Sequence, residues 1–245
     1  MTKLIKAELY RSVHSGIFFI IFCVFGLFPL TMPFVAIPDM DEVNIFHILL
    51  SYAQGGGFLI SRYVGIVLSA MISNMFQNRT YYYEIMNGAN THHIILSKII
   101  VYNCITTAVL IIPAIITFAI MSNHYPLGNL NQLWLTVILG AVIIMNFTCF
   151  TVFINMIIRH ILGGPVLVYT VSILPVMFYM TIPEITDNYK WLTNILSCMP
   201  QTQLIEFVKP EYETAFIIKV ICSFVVSFAV LYTLTYISYK KKKFR

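Results

Sequence analysis

Long apolar runs decide what this chain can become. Residues 16–37, 58–76, 94–121, 132–158, 164–182 and 215–239 form six stretches nearly free of charge. A helix rises 1.5 Å per residue, so about 20 apolar residues cover the roughly 30 Å hydrocarbon core of a bilayer. Backbone in hydrocarbon must satisfy its own N–H and C=O groups, which makes runs of this kind helices. Composition agrees. Of 245 residues, 59% are hydrophobic and 10% charged, against roughly 45–50% and about 25% in soluble domains. The sequence predicts an all-α, polytopic membrane protein with six transmembrane helices in one membrane domain over residues 1–245.

The polar connections set the topology. Residues 1–14 carry Lys3, Lys6, Glu8 and Arg11 beside Leu4, Ile5, Leu9 and Val13 at helical spacing. This predicts an N-terminal interfacial helix whose lysine stems reach toward headgroups. The apolar run after it is too long for a signal peptide and lacks a small-x-small cleavage site, so it reads as an uncleaved first span. An outer loop, 38–57, holds Asp39, Asp41, Glu42 and the glycines Gly55 to Gly57. The segment 183–214 contains Trp191, Leu192, Ile195, Leu196 and Met199, then Pro200, then Leu204, Ile205, Phe207 and Val208. It is too apolar for a free loop and too short in each piece to span. It predicts one or two outer helices, half-buried in the outer leaflet, before span six. With this arrangement the inner segments sum to +9 and the outer ones to −4, matching the formal net charge of +5. Basic inner loops place both termini in the cytoplasm. The basic tail, Lys240 to Lys243 and Arg245, suits anionic lipid and calls for no nucleic acid.

Little in the sequence points to chemistry. There is no phosphate-binding Gly-x-x-x-x-Gly-Lys-Ser/Thr, no His-Glu-x-x-His and no Gly-x-Ser-x-Gly. The five cysteines show no paired spacing. His92 and His93 are adjacent, and neighbouring helical residues point apart, which disfavours a metal site. The expectation is a protein that is no enzyme and holds no metal or cofactor of its own. Gly65, Ser69 and Ser73 fall four apart and form a small-residue stripe for close helix packing, within this chain or against a second copy. Thr148, Thr151 and Asn155 lie near one face of the run 132–158, with Asn146 mid-span. Polar groups at that depth either line a path or hydrogen-bond a neighbouring helix. The runs themselves carry almost no charge, unlike ion-coupled transporters. Uphill transport by this chain would need energy from another one.

The stretch 79–98 is one of the few long polar interruptions. Tyr81 and Ile85 share one helical stripe, Tyr82 and Met86 the next, while Glu84 and Asn87 are placed to face water. Gly88 can stop the helix by entering the left-handed conformation, and His92 begins the return to the bilayer. Such an element is either a knob that docks into another protein or an ordinary amphipathic connector.

With the basic Lys6-Ala-Glu-Leu-Tyr-Arg11 start, six apolar runs and Glu84…Gly88…Lys98, the chain resembles the permease subunits of ABC-2 type transporters. The likeness is greatest to small bacterial permeases for bacitracin and lantibiotic resistance or immunity. In that family a Glu-x-x-x-Gly opening, a Ser-Arg pair and a Lys before span three mark the coupling helix. Here Glu84, Gly88 and Lys98 match, whereas Thr91-His92 replaces Ser-Arg. The resemblance implies a bacterial plasma-membrane exporter subunit for antimicrobial peptides or other amphipathic substrates. It also implies a cytoplasmic coupling helix between spans two and three, re-entrant outer helices, and pairing with a second permease, either another copy or a sister. ATP and Mg would sit on separate ABC ATPase subunits. Tyr82, Glu84, Ile85, Met86, Gly88 and His92 would then dock the ATPase. The rival readings are a non-transporting membrane scaffold or sensor and a multidrug efflux permease of the same family.

Overall fold

The structure, a computed structural model, describes residues 1–16, 18, 58–78, 80–122, 130–160, 162–185, 190–207 and 213–242. Among the described residues there are nine helices and no strand. In chain order they are α1 (Thr2–Val13), α2 (Phe58–Gln77), α3 (Thr80–Met86), α4 (Thr91–Met121), α5 (Leu130–Ile158), α6 (Gly163–Ile185), α7 (Lys190–Leu196), α8 (Pro200–Glu206) and α9 (Thr214–Lys242). The expected first span, 16–37, and the acidic loop, 38–57, lie outside the described residues except for residues 16 and 18.

The six-span expectation needs correction. Among the described residues, three helical stretches are long and apolar enough to cross a bilayer: Thr91–Val109, Trp134–Ile158 and Thr214–Lys240. Helices α2 and α6 stand where spans two and five are expected. Among the described residues, their apolar stretches are Gly65–Phe76 and Gly163–Tyr179.

Helix α5 is central and packs against α2, α4, α6, α8 and α9. The main core joins Leu68 and Ile72 of α2, Ile94, Ile95 and Tyr102 of α4, and Val152, Phe153 and Met156 of α5. A smaller core joins Leu139 and Ile143 of α5 to Phe207 and to Val220 of α9. The bundle has a basal end, where α1, α3, the start of α4 and the ends of α5 and α9 meet. There the Arg159 guanidinium lies 4.0 Å from the centre of the Tyr239 ring. Arg159 adopts φ +55° at the end of α5, a left-handed conformation costing about 1–2 kcal/mol for a residue with a Cβ. The ring contact and an Nε bond to the Met156 carbonyl at 3.1 Å offset that cost.

Helix α9 is peripheral. Of the membrane-length stretch in α4 or α5, 56% is buried, against 6% in α9. A series of polar contacts holds it. Gln203 Nε2 donates to Ser223 Oγ at 2.7 Å, and Ser227 Oγ donates to Asn146 Oδ1 at 2.7 Å. Lower down, Tyr232 Oη meets His92 Nδ1 at 2.6 Å.

The small-residue stripe of α2 lies against α5 and α6. Ser69 and Ser73 both donate to Asn155 Oδ1, at 2.7 and 2.9 Å. Asn155 Nδ2 donates to the Thr151 carbonyl at 2.7 Å. A Cβ on Gly65 would meet the Phe147 ring at 2.5 Å. A Cβ on Gly164 would lie 2.0 Å from Asn155 Oδ1 and 2.7 Å from Ser73 Oγ. Gly164→Ala is therefore expected to destabilise the fold by about 1–3 kcal/mol, the usual effect of overpacking. Thermal unfolding of the detergent-purified protein measures this. Gly16→Ala, whose added Cβ meets nothing within 4 Å, is the control. Equal midpoints for both variants would rule out the close approach of α2, α5 and α6.

Candidate functional site

Four charged side chains and a tyrosine converge at the basal end from α1, α3 and α4. Helix α1 is amphipathic, but its inward face is not simply apolar. Leu4 and Ile5 pack on the main core, while Glu8 and Ser12, one turn apart, are buried at 1% and 3% exposure. Lys98, near the start of α4, is buried to the same degree as Glu8. Its Nζ donates to both Glu8 oxygens at 3.3 Å. Tyr102, one turn further along α4, places its Oη 3.2 Å from Glu8 Oε1. Met75 of α2 closes the site, its sulfur 3.2 Å from the Tyr102 hydroxyl.

Glu84 of α3 completes the set. Arg11 Nη2 donates to Glu84 Oε1 at 3.0 Å, and Lys98 Nζ lies 3.8 Å from Glu84 Oε2. Arg11 Nη1 approaches Glu8 Oε2 at 3.6 Å. Each carboxylate therefore faces both cations, and the four charges sum to zero. Burying one charge alone would cost several kcal/mol, so the buried Glu8, Glu84 and Lys98 depend on their opposites. A cavity of about 220 Å³, bounded by Arg11, Ser12, Asn74 and Asn78, opens beside the cluster. Among the described residues no group of three or more His, Cys, Asp or Glu side chains is placed to hold a metal.

The residues singled out in the sequence are distributed as follows. Glu84 does not face water, which corrects the expectation: it is 8% exposed and bound to α1 and α4. Ile85 packs on the core. Met86 projects outward at 81% exposure, next to exposed Tyr83. Tyr82 belongs to α3, but its side chain lies outside the described ones. Gly88 takes φ +76° and ends α3. The Gly88 and Ala89 amides bond back to the Ile85 and Glu84 carbonyls at 2.9 and 3.1 Å, a Schellman closure. Asn90 then caps α4, accepting from the His92 amide at 3.1 Å. His92 stacks on Tyr236 with ring centres 4.2 Å apart. Asn146, Thr148, Thr151 and Asn155 are all buried. The two asparagines bond across helix interfaces, and the two threonines bond back to the Ile144 and Phe147 carbonyls of α5.

The sequence shows Glu8 and Arg11 only as charges of the interfacial helix, and nothing in it marks Tyr102. A signal for Glu8 was present: it and Glu84 are the two acids among the inner segments, and Lys98 sits within an apolar run that must bury it.

Three membrane-length helices, the central α5 and its neighbours α4 and α9, make this a multi-span membrane protein. No family model, curated protein or solved structure matches the chain. The likeness to ABC-2 permeases is thus corrected. No match stands behind it, and among the described residues three membrane-length helices take the place of the six it requires. The exporter reading, with its bacitracin or lantibiotic resistance role, falls with it.

Glu8→Ala is expected to cost about 3–5 kcal/mol of stability, because it leaves Lys98 buried with one distant partner. Glu8→Ala combined with Lys98→Met should recover part of that loss. A double-mutant cycle on thermal midpoints measures the coupling. Simple additivity of the two single changes would show that the pair is not coupled.

Proposed function

We propose that this chain is a non-enzymatic membrane subunit that acts as a scaffold or sensor, with its basal end as the working surface. The observation that carries the proposal is the charge cluster. It fixes an interfacial helix and a short connector to a spanning helix through Glu8–Lys98 and Arg11–Glu84. A clamped α3 presents Tyr83 and Met86 outward, and α1 exposes Tyr10. That surface suits a protein partner. The engagement of Asn146 and Asn155 in helix contacts favours a packed support over a conduit.

On this reading the chain needs no cofactor and no nucleic acid, and its other partner is the bilayer. Lys3, Lys6, Arg11, Lys98, Arg159 and Lys240 belong to the elements that meet at the basal end. Their positive charge supports a basal end in the cytoplasm of a bacterial plasma membrane, with both termini there.

Two experiments test this. In a cysteine-free background, an impermeant maleimide applied to intact cells should label a cysteine at Trp191 but not one at Lys3. The opposite result reverses the orientation. A photo-crosslinking residue at Met86 should give a discrete protein adduct that weakens several-fold with Glu8→Ala, while one at buried Ile95 gives none. Labelling of lipid alone from Met86 would refute the scaffold reading.

A further inference from the structure

We propose that the basal end holds a specific site for the phosphate headgroup of an anionic phospholipid, between the α3–α4 turn and the end of α9. A cavity of about 460 Å³ opens there, walled by Ile85, Gly88, Asn90, Thr91, Tyr236 and Lys240. Its wall is open at Gly88, where a Cβ would meet nothing within 4 Å. Asn90 commits its Oδ1 to capping α4, which leaves its amide N–H groups to donate. Thr91 adds a hydroxyl. Tyr236 is held in place by the His92 ring stacked on it.

Charge and shape select the occupant. Lys240 is exposed, and among the described residues no acid pairs with it. Glu84, on the connector next to the cavity, is turned away and neutralised by Arg11 and Lys98. The cavity therefore has a cation, neutral donors and no competing carboxylate. Directly along α9 from Lys240 runs an exposed apolar stripe of Ile237, Leu234, Val230 and Val226, at 43%, 51%, 52% and 61% exposure. These residues recur at steps of three and four, so they share the face that ends at Lys240. A cation at the aqueous end of an apolar track matches a headgroup with its acyl chain attached. Tyr232 and Tyr236 lie one to two turns along α9 from Lys240, and aromatic rings of this kind favour the membrane interface. A basic pocket between spanning helices at this depth is suited to an anionic headgroup.

The test uses the full chain in nanodiscs of phosphatidylcholine alone, or of phosphatidylcholine and phosphatidylglycerol in equal parts. Lipid retained after release into mild detergent is counted by native mass spectrometry. Wild type should keep phosphatidylglycerol in preference to phosphatidylcholine. Lys240→Gln should lower that retention about fivefold, the worth of one lysine near an anionic surface. Lys6→Gln, an exposed lysine outside the cavity, should leave retention unchanged. Equal retention of the two lipids overturns the proposal. So does an equal loss from Lys6→Gln, which would mean diffuse attraction without a site. Glycerol 3-phosphate is added as a competitor. If it displaces the lipid at comparable concentration with the same Lys240 dependence, the site takes a soluble phosphate and the lipid assignment fails.

Discussion

The fold depends on a lysine and a glutamate that are both removed from water. Lys98 and Glu8 are each 1% exposed, and neither tolerates that environment alone, since the desolvation of one ion exceeds what scattered dipoles return. Their mutual contact, the Tyr102 hydroxyl and the flanking Arg11–Glu84 pair make burial possible. Such a cluster is weak evidence of net stability, because well-packed apolar residues often do as well. What it does supply is geometry. An amphipathic helix held by apolar contact alone can slide or roll on the surface beneath it. One held by a buried carboxylate with two cationic partners has a single position.

That distinction explains how three short or interfacial pieces become one surface. Helix α3 has seven residues, too few to persist alone. It is stabilised at one end by the Schellman closure at Gly88 and along its length by Glu84. Asn90 then restarts the chain as α4. The backbone that carries exposed Tyr83 and Met86 is thereby tied to the core beneath it. The other end of the bundle follows the same logic with different residues. There Glu206 of α8 joins Tyr179 of α6 to Lys219 of α9.

Much of the helical layout was legible in the sequence. The runs 94–121, 132–158 and 215–239 begin and end within a few residues of α4, α5 and α9, because a long apolar run in one chain has few other options. The stop at Gly88 was legible for a local reason, since the backbone conformation there favours glycine. The number of spans was not legible. Apolar content alone does not separate a helix that crosses a bilayer from one packed within a bundle. The charge cluster was hidden for a different reason. Glu84 stands next to exposed Tyr83 on a short polar element, and local pattern placed it in water. Its partners lie 73 and 14 positions away, and spacing along one helix carries no information about them.

Helix α9 shows what peripheral placement entails. Lipid tails are as apolar as its valines, so hydrophobicity does not distinguish one rotation of α9 about its axis from another. The choice falls to polar and aromatic side chains that reach inward at successive levels, Lys219, Ser223, Ser227, Tyr232, Tyr236 and Tyr239. They act as a keyway for a shaft that is otherwise free to turn. Substitutions along the outer face of α9 are constrained by hydropathy alone. An exchange at one of these keys instead alters the azimuth of the whole helix, and with it the direction in which Lys240 points.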